Sequence, residues 1–116
     1  MEPQPTCQPE RGELLARLLP ELTAELRALI LAGDEPQLAG EVERLRVIDR
    51  CRCGDSFCAT LYTAPQPKGS YGPSHRNVVL DPATGMIVLD VVDERIVCIE
   101  ILYCDELQRR IHHLFP

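Results

Sequence analysis

Residues 86–102 read MIVLDVVDERIVCIEIL and contain two runs of apolar, mostly β-branched residues. Val and Ile are enriched in strands, so each run predicts one strand, Met86–Val92 and residues 95–104. Asp93 and Glu94 separate the two runs, and a connection of two residues joins neighbouring antiparallel strands. The stretch therefore predicts an antiparallel hairpin, and with it an antiparallel sheet.

Both faces of this hairpin carry apolar side chains. Side chains alternate between the faces of a strand, and with a two-residue turn one face carries Ile87, Leu89, Val91, Ile96, Cys98 and Leu102. The other face carries Met86, Val88, Val97, Ile99, Ile101 and Tyr103. An antiparallel sheet usually leaves one face in water. Since both faces are apolar here, each of them has to pack against another part of the chain or against another chain. We expect helices on one face and, on the face that includes Leu89 and Cys98, a second copy of the chain in a homodimer.

The N-terminal part of the chain predicts the covering helices. Over residues 11–31, Leu and Ile recur every three or four positions and form one apolar stripe. Pro20 removes a helical hydrogen bond, so we expect a break there, with Pro20 opening the second segment. A short helix over residues 35–42 and a last helix over residues 105–113 complete the helical elements.

The remaining strands lie between these helices. Alternation predicts strands over residues 45–53, 57–63 and 76–80, and the Pro- and Gly-rich residues 64–75 predict a long surface loop. The expected fold class is α+β: N-terminal helices packed on an antiparallel meander of four to five strands, with a short C-terminal helix. We expect residues 1–10 to be a disordered tail and residues 11–116 to form a single domain.

Charge and hydropathy exclude several classes of function. The net charge of −6 opposes binding to phosphate backbones, so we expect no nucleic-acid partner. The N-terminus lacks the basic and apolar regions of a signal peptide, and no stretch reaches the roughly 18 apolar residues of a membrane span. We therefore expect a cytoplasmic protein, in which six cysteines are thiols or metal ligands rather than disulfides.

Three of these cysteines, Cys51, Cys53 and Cys58, are grouped in the segment CRCGDSFC around a turn. Turns that present two or three thiolates commonly supply part of a tetrahedral zinc site. The spacing differs from the familiar pair separated by two residues, and the sequence does not identify a fourth ligand. The candidates for it are Cys7, His75, Cys98, Cys104, His112 and His113.

The length of the hairpin loop decides between a metal site and packed thiols. A loop of four residues places Cys53 opposite Cys58, on the same side as Cys51, and turns Phe57 away from the core. A loop of three residues instead pairs Cys53 with Phe57 and turns Phe57 inward, together with Leu61. Because the second register buries more apolar area, worth a few kcal/mol at about 25 cal/mol per Å², we favour packed thiols over zinc and over redox chemistry.

Two further groups of residues are candidates for binding a protein partner. Arg46, Arg50 and Arg52 recur at even spacing along one strand face, where their guanidinium groups suit an acidic partner. Tyr71, His75 and Arg76 lie in or beside the long loop, and loops on rigid scaffolds often carry function.

No catalytic set is predicted. The chain has no phosphate-binding glycine loop and no nucleophile elbow. Cys58 with His75 is a weak nucleophile pair, and Glu100, inside an apolar strand, lacks a partner acid for general acid–base work. We therefore expect no cofactor, with zinc as the alternative.

The chain resembles a small bacterial protein family, a domain of unknown function, over residues 45–104. The motifs that carry the resemblance are Cys51-Arg52-Cys53-Gly54-Asp55, Phe57-Cys58-Ala59-Thr60, Tyr62-Thr63 and Ile99-Glu100-Ile101-Leu102. The resemblance brings no activity, cofactor or catalytic residue. By analogy of size and class with toxin-neutralising immunity proteins, we expect a non-enzymatic protein-binding or regulatory module. The alternatives are a small zinc protein using the cysteine hairpin and, third, an enzyme based on Cys and His.

Overall fold

The computed structural model describes residues 12–116. The predicted tail, residues 1–10, lies outside the described residues, as does Cys7. The helices are α1 (Leu15–Leu18), α2 (Pro20–Leu31), α3 (Ala39–Val42) and α4 (Asp105–Leu114), with a 3-10 turn at Pro36–Leu38. The strands are β1 (Glu13–Leu14), β2 (Arg46–Val47), β3 (Asp49–Arg50), β4 (Leu61–Tyr62), β5 (His75–Leu80), β6 (Met86–Val92) and β7 (Arg95–Leu102).

The strands form two antiparallel sheets. One sheet holds five strands in the order β3-β4-β7-β6-β5, and a separate pair is formed by β1 and β2. The predicted α+β fold class, with N-terminal helices, an antiparallel sheet and a short C-terminal helix, is confirmed, but the predicted meander is wrong, since β4 and β5 are not neighbours in the sheet. Because β4 pairs with β7 rather than with β5, the chain between β4 and β5 has to pass β7 and β6 to reach the far edge.

The hairpin of β6 and β7 contains an irregularity that changes its two faces. Leu89 pairs with Ile99 and Asp90 pairs with Cys98, but the next pair is Val91 with Ile96. β7 therefore has one extra residue at this point. Leu89 and Cys98 consequently lie on opposite faces, and the simple alternation that placed them together is wrong. A shift of one residue moves every later side chain to the other face.

The first face of the sheet is apolar and belongs to the main core. Its buried side chains form one cluster with leucines of α1 and α2 and with Ile111 of α4. The sheet residues in this cluster are Leu61, Leu80, Ile87, Leu89, Val91, Ile96, Ile99 and Ile101. The N-terminal helices therefore cover one face of the sheet, as expected, but it is the face of Leu89 and Val91, which we had assigned to the homodimer.

The second face is mixed in character and carries Thr60, Tyr62, Asp90, Cys98 and Glu100. Part of the loop that runs from β4 to β5 lines a cleft together with these residues. The loop thus crosses the sheet on this face. The homodimer stays a prediction, but the apolar face carrying both Leu89 and Cys98, on which we placed it, is not present.

The expected break in the N-terminal helix is confirmed. Leu19, at φ −139° and ψ 71°, separates α1 from α2, and Pro20 is the first residue of α2. The predicted strand over residues 45–53 is wrong in its extent, because β2 pairs with β1 whereas β3 pairs with β4. The chain therefore changes from one sheet to the other at Ile48.

The substitution Leu26→Ala tests the packing of α2 on the sheet. Leu26 is 1% exposed and belongs to the core cluster. Its truncation leaves a cavity, so we expect the free energy of unfolding to fall by about 2–5 kcal/mol. The control Leu31→Ala removes the same atoms from a side chain of the same helix that is 49% exposed, and it should cost less than about 0.5 kcal/mol. Equal urea midpoints for the two variants would contradict this packing.

Candidate metal centre

The cysteine hairpin adopts the four-residue loop. Asp49 pairs with Tyr62 and Arg50 with Leu61, and the same register continues in the hydrogen bond from the Cys51 N–H to the Thr60 oxygen, at 2.8 Å. Extended by two residues, this register places Cys53 opposite Cys58. The three-residue loop that we favoured is therefore wrong.

The position of Phe57 explains the difference. The side chain is 39% exposed, and its ring stacks on that of Tyr103 with 5.3 Å between the ring centroids. The Tyr103 N–H also donates a hydrogen bond to the Phe57 oxygen. Phe57 thus keeps an aromatic partner outside the core, so the apolar area that we assigned to its burial does not decide the register.

The sulfur atoms of Cys51, Cys53 and Cys58 all lie within 4.8 Å of one another. In a tetrahedral zinc site with Zn–S bonds of about 2.3 Å the sulfurs are about 3.8 Å apart, so only a small closure is needed. Cys58 is buried, Cys51 is half-buried and Cys53 is exposed. Within residues 12–116 no further His, Cys, Asp or Glu belongs to the cluster. Three ligands are therefore in place, and a fourth is not supplied by this part of the chain.

Hydrogen bonds distribute the charge unevenly over the three thiols. Burial disfavours the Cys51 thiolate, but hydrogen bonds from the Tyr62 hydroxyl, the Cys53 backbone and the two other thiols lower the pKa of Cys51 below its ordinary value. The Asp55 N–H favours the Cys53 thiolate, yet the neighbouring Cys51 and Cys58 raise the pKa of Cys53 to about 11. The cluster thus holds its first negative charge on Cys51, and a bound cation would stabilise the remaining thiolates.

A cleft of ≈ 360 Å³ lies beside the cluster on the second face of the sheet. Cys51 and Cys58 line one part of it, and Asp90, Cys98 and Glu100 line another. The cleft and the cysteine cluster therefore share a wall.

Asp90 is the most enclosed polar group in the cleft, at 4% exposure. The Asn77 amide donates to its Oδ1 at 2.7 Å, and the His75 Nε2 lies 2.7 Å from the same oxygen. Burial disfavours its charge, but hydrogen bonds with Glu100, His75 and Asn77 hold the pKa of Asp90 below its ordinary value. Asp90 is consequently ionised and fixed in orientation.

Glu100 lies next to Asp90 on the neighbouring strand. The hydrogen bond between the two carboxyl groups and the burial of Glu100 raise the pKa of Glu100 to about 7. The pair therefore keeps one proton below about pH 7. Asp90 is the partner acid that our reading of Glu100 from the sequence lacked. The only sequence signal for this role of Asp90 is its position as a carboxylate within the apolar run of β6.

The three arginines expected on one strand face do not form a continuous surface. Arg46 lies in β2 and Arg50 in β3, which belong to different sheets. Arg50 donates to the Phe115 oxygen at 2.6 Å and Arg52 to the Pro116 oxygen at 2.8 Å. These two guanidinium groups thus hold the end of the described chain against the cysteine hairpin, and an acidic partner for the face stays a prediction.

Tyr71, His75 and Arg76 are also engaged within the chain. The rings of Tyr71 and His75 are in contact, with 4.8 Å between centroids, and His75 contacts Asp90 rather than Cys58. Arg76 binds Glu35 through two nitrogens and Glu94 at 3.0 Å. Their role in binding another protein stays a prediction.

The comparisons with known proteins add no relative. No family model, curated protein or solved structure matches this chain. The resemblance to a bacterial family therefore stays a prediction. Across residues 12–116, no helix has the length and apolar character needed to cross a membrane.

The Asp90–Glu100 pair predicts a pH dependence of stability. The folded-state pKa of Glu100, about 7, exceeds its ordinary value of 4.5, so between these values the folded chain keeps a proton that the unfolded chain has lost. This contribution to stability is present below pH 4.5 and disappears as the pH rises through about 7. Glu100→Gln carries no such proton, so wild type should lose stability relative to this variant between about pH 5 and about pH 8.

Urea unfolding of the reduced, metal-free protein measures the effect. Glu106→Gln, which changes an exposed acid of α4 outside the cleft, is the control and should show a constant difference from wild type. A pH-independent difference between wild type and Glu100→Gln would contradict the proton shared with Asp90.

Proposed function

We propose that this protein binds one zinc ion through the thiolates of Cys51, Cys53 and Cys58. The observation that carries the proposal is the approach of the three sulfur atoms to within 4.8 Å of one another. Thiolate ligands favour zinc, copper(I) and iron–sulfur clusters among the common metals, and zinc accepts three sulfurs in a tetrahedron without redox change.

The exposure of Cys53 supports a ligand role over simple packing. A free cysteine that serves only to fill a core behaves as a small apolar side chain and is usually buried. Cys53 is exposed, and Phe57, four residues further along the hairpin, is 39% exposed. The hairpin thus gathers three thiols while an aromatic side chain stays partly in water, which is the arrangement expected when the sulfurs bind a metal.

The electrostatics of the cluster also support the proposal. The neighbouring thiols raise the pKa of Cys53 to about 11, so without a cation the three sulfurs do not ionise together. A divalent cation removes this repulsion and releases the protons. We place the protein in the cytoplasm, where thiols remain reduced. The expected protein-binding role, toxin neutralisation included, stays a prediction.

Metal analysis of freshly purified, untagged and reduced protein tests the proposal. We expect one zinc per chain. Cys53→Ser should weaken zinc binding by roughly 100-fold or more, because each thiolate of a zinc site carries a large share of the binding free energy. The exposure of Cys53 makes this variant compatible with folding, which circular dichroism checks.

Cys104→Ser is the matched control, since Cys104 is a free, half-buried cysteine outside the cluster. In competition with a chromogenic chelator, this variant should bind zinc with the same affinity as wild type. Zinc far below one per chain in wild type, or equal affinities for Cys53→Ser and wild type, would overturn the proposal.

A further inference from the structure

The cysteine cluster differs from a closed metal site in two respects. Structural zinc sites have four protein ligands, whereas sites that bind water or substrate keep one position open. Within residues 12–116 only three ligands come together. Two of them, Cys51 and Cys58, also line the cleft of ≈ 360 Å³. Two of the three sulfurs that would hold the metal thus belong to residues that line the cleft.

We propose, resting on the zinc site above, that the fourth metal position opens into this cleft and accepts a small neutral or cationic nitrogen ligand whose N–H groups bind the Asp90–Glu100 pair.

The charge of the cleft selects against anions. Among the described residues, no Lys or Arg lines it, and its ionisable walls are carboxyl, thiol and phenol groups. Three thiolates around one zinc ion leave a net charge of −1, and Asp90 adds another negative charge. An anion would enter against both charges without a cationic partner, whereas a neutral or positively charged ligand would not.

The carboxyl pair supplies hydrogen-bond acceptors within the same cleft. Asp90 is held by Asn77 and His75, which fixes the orientation of its carboxylate. Glu100 is half-buried and lines the cleft, so a ligand can reach it. Carboxylates accept hydrogen bonds from N–H donors with greater strength than neutral acceptors do. This pair therefore suits a ligand with an N–H group directed away from the metal.

The size and the side walls of the cleft favour a flat, ring-sized molecule. Its volume is near the lower end of the range for small-molecule sites, which begins at roughly 300 Å³. Tyr62 and Tyr71 lie along it and provide aromatic surfaces. A heterocycle with one bare nitrogen and one N–H, such as an imidazole, carries both a metal ligand and a hydrogen-bond donor.

Cobalt(II)-loaded full-length protein allows the test without a known natural ligand. Cobalt replaces zinc in tetrahedral sites and gives visible ligand-field bands that respond to the fourth ligand, while its thiolate charge-transfer band reports retention of the metal. The protein is titrated at about pH 8, where imidazole is neutral, with imidazole and separately with azide, an anion of comparable size. We expect imidazole to change the ligand-field bands with saturation and azide to bind at least roughly tenfold more weakly.

Variants of Glu100 test the second contact. Glu100→Ala removes the acceptor and should weaken imidazole binding roughly tenfold, the usual effect of losing a hydrogen bond to a charged group. Glu100→Gln keeps the shape of the side chain and removes its charge, so it should narrow the preference for imidazole over azide. Glu106→Ala, an exposed acid outside the cleft, should bind both probes as wild type does.

The outcomes separate this inference from the zinc site on which it rests. If cobalt binds with thiolate bands that neither probe alters, the site is closed, which overturns the open position and leaves the metal site standing. Azide binding as tight as imidazole binding, or an unchanged imidazole affinity in Glu100→Ala, overturns the assigned ligand class. Failure of both cobalt and zinc to bind overturns the zinc site itself.

Discussion

The extra residue in β7 opposite Asp90 determines what each face of the sheet carries. Before the irregularity, Leu89 and Ile99 share the face that packs on the helices, and beyond it Val91 and Ile96 share the same face. Without the extra residue, Ile96 and Ile99 would lie on opposite faces of β7, because side chains three residues apart in a regular strand point to opposite sides. The irregularity thus keeps the apolar side chains in the core while Asp90 and Cys98 enter the cleft.

The local features of the fold can be predicted from the sequence, whereas the pairing and register of the strands cannot. The strand Met86–Val92 and the break at Pro20 depend on nearby residues, and their predicted positions agree with the structure. The register of β6 and β7 depends on which side chains the helices bury, and no glycine in the hairpin signals the extra residue. Counting alternate residues therefore located the strands of this hairpin correctly and assigned their faces wrongly.

In the candidate site, too, the local features were predictable from the sequence and the long-range contacts were not. The sequence indicates three grouped thiols, but the choice of loop length depended on the surroundings of Phe57, and the stacking on Tyr103 involves a residue far along the chain. The contact between Asp90 and Glu100 likewise follows only from the strand pairing. The cleft also depends on long-range strand pairing. Because β4 pairs with β7, the loop between β4 and β5 has to cross the second face of the sheet.

The turn between β6 and β7 shows how local and distant demands conflict. Asp93 and Glu94 both adopt positive φ angles, 51° and 64°, which suit glycine or asparagine and cost other residues of order 1 kcal/mol each. The Glu94 carboxylate nevertheless forms an ion pair with Arg76. Arg76 also binds Glu35, which precedes the short helix α3. A designer who optimised this hairpin alone would place Gly at position 94. The relaxed turn would then lack the second carboxylate that binds the Arg76 guanidinium beside Glu35, so the best sequence for the turn is not the best for the whole chain.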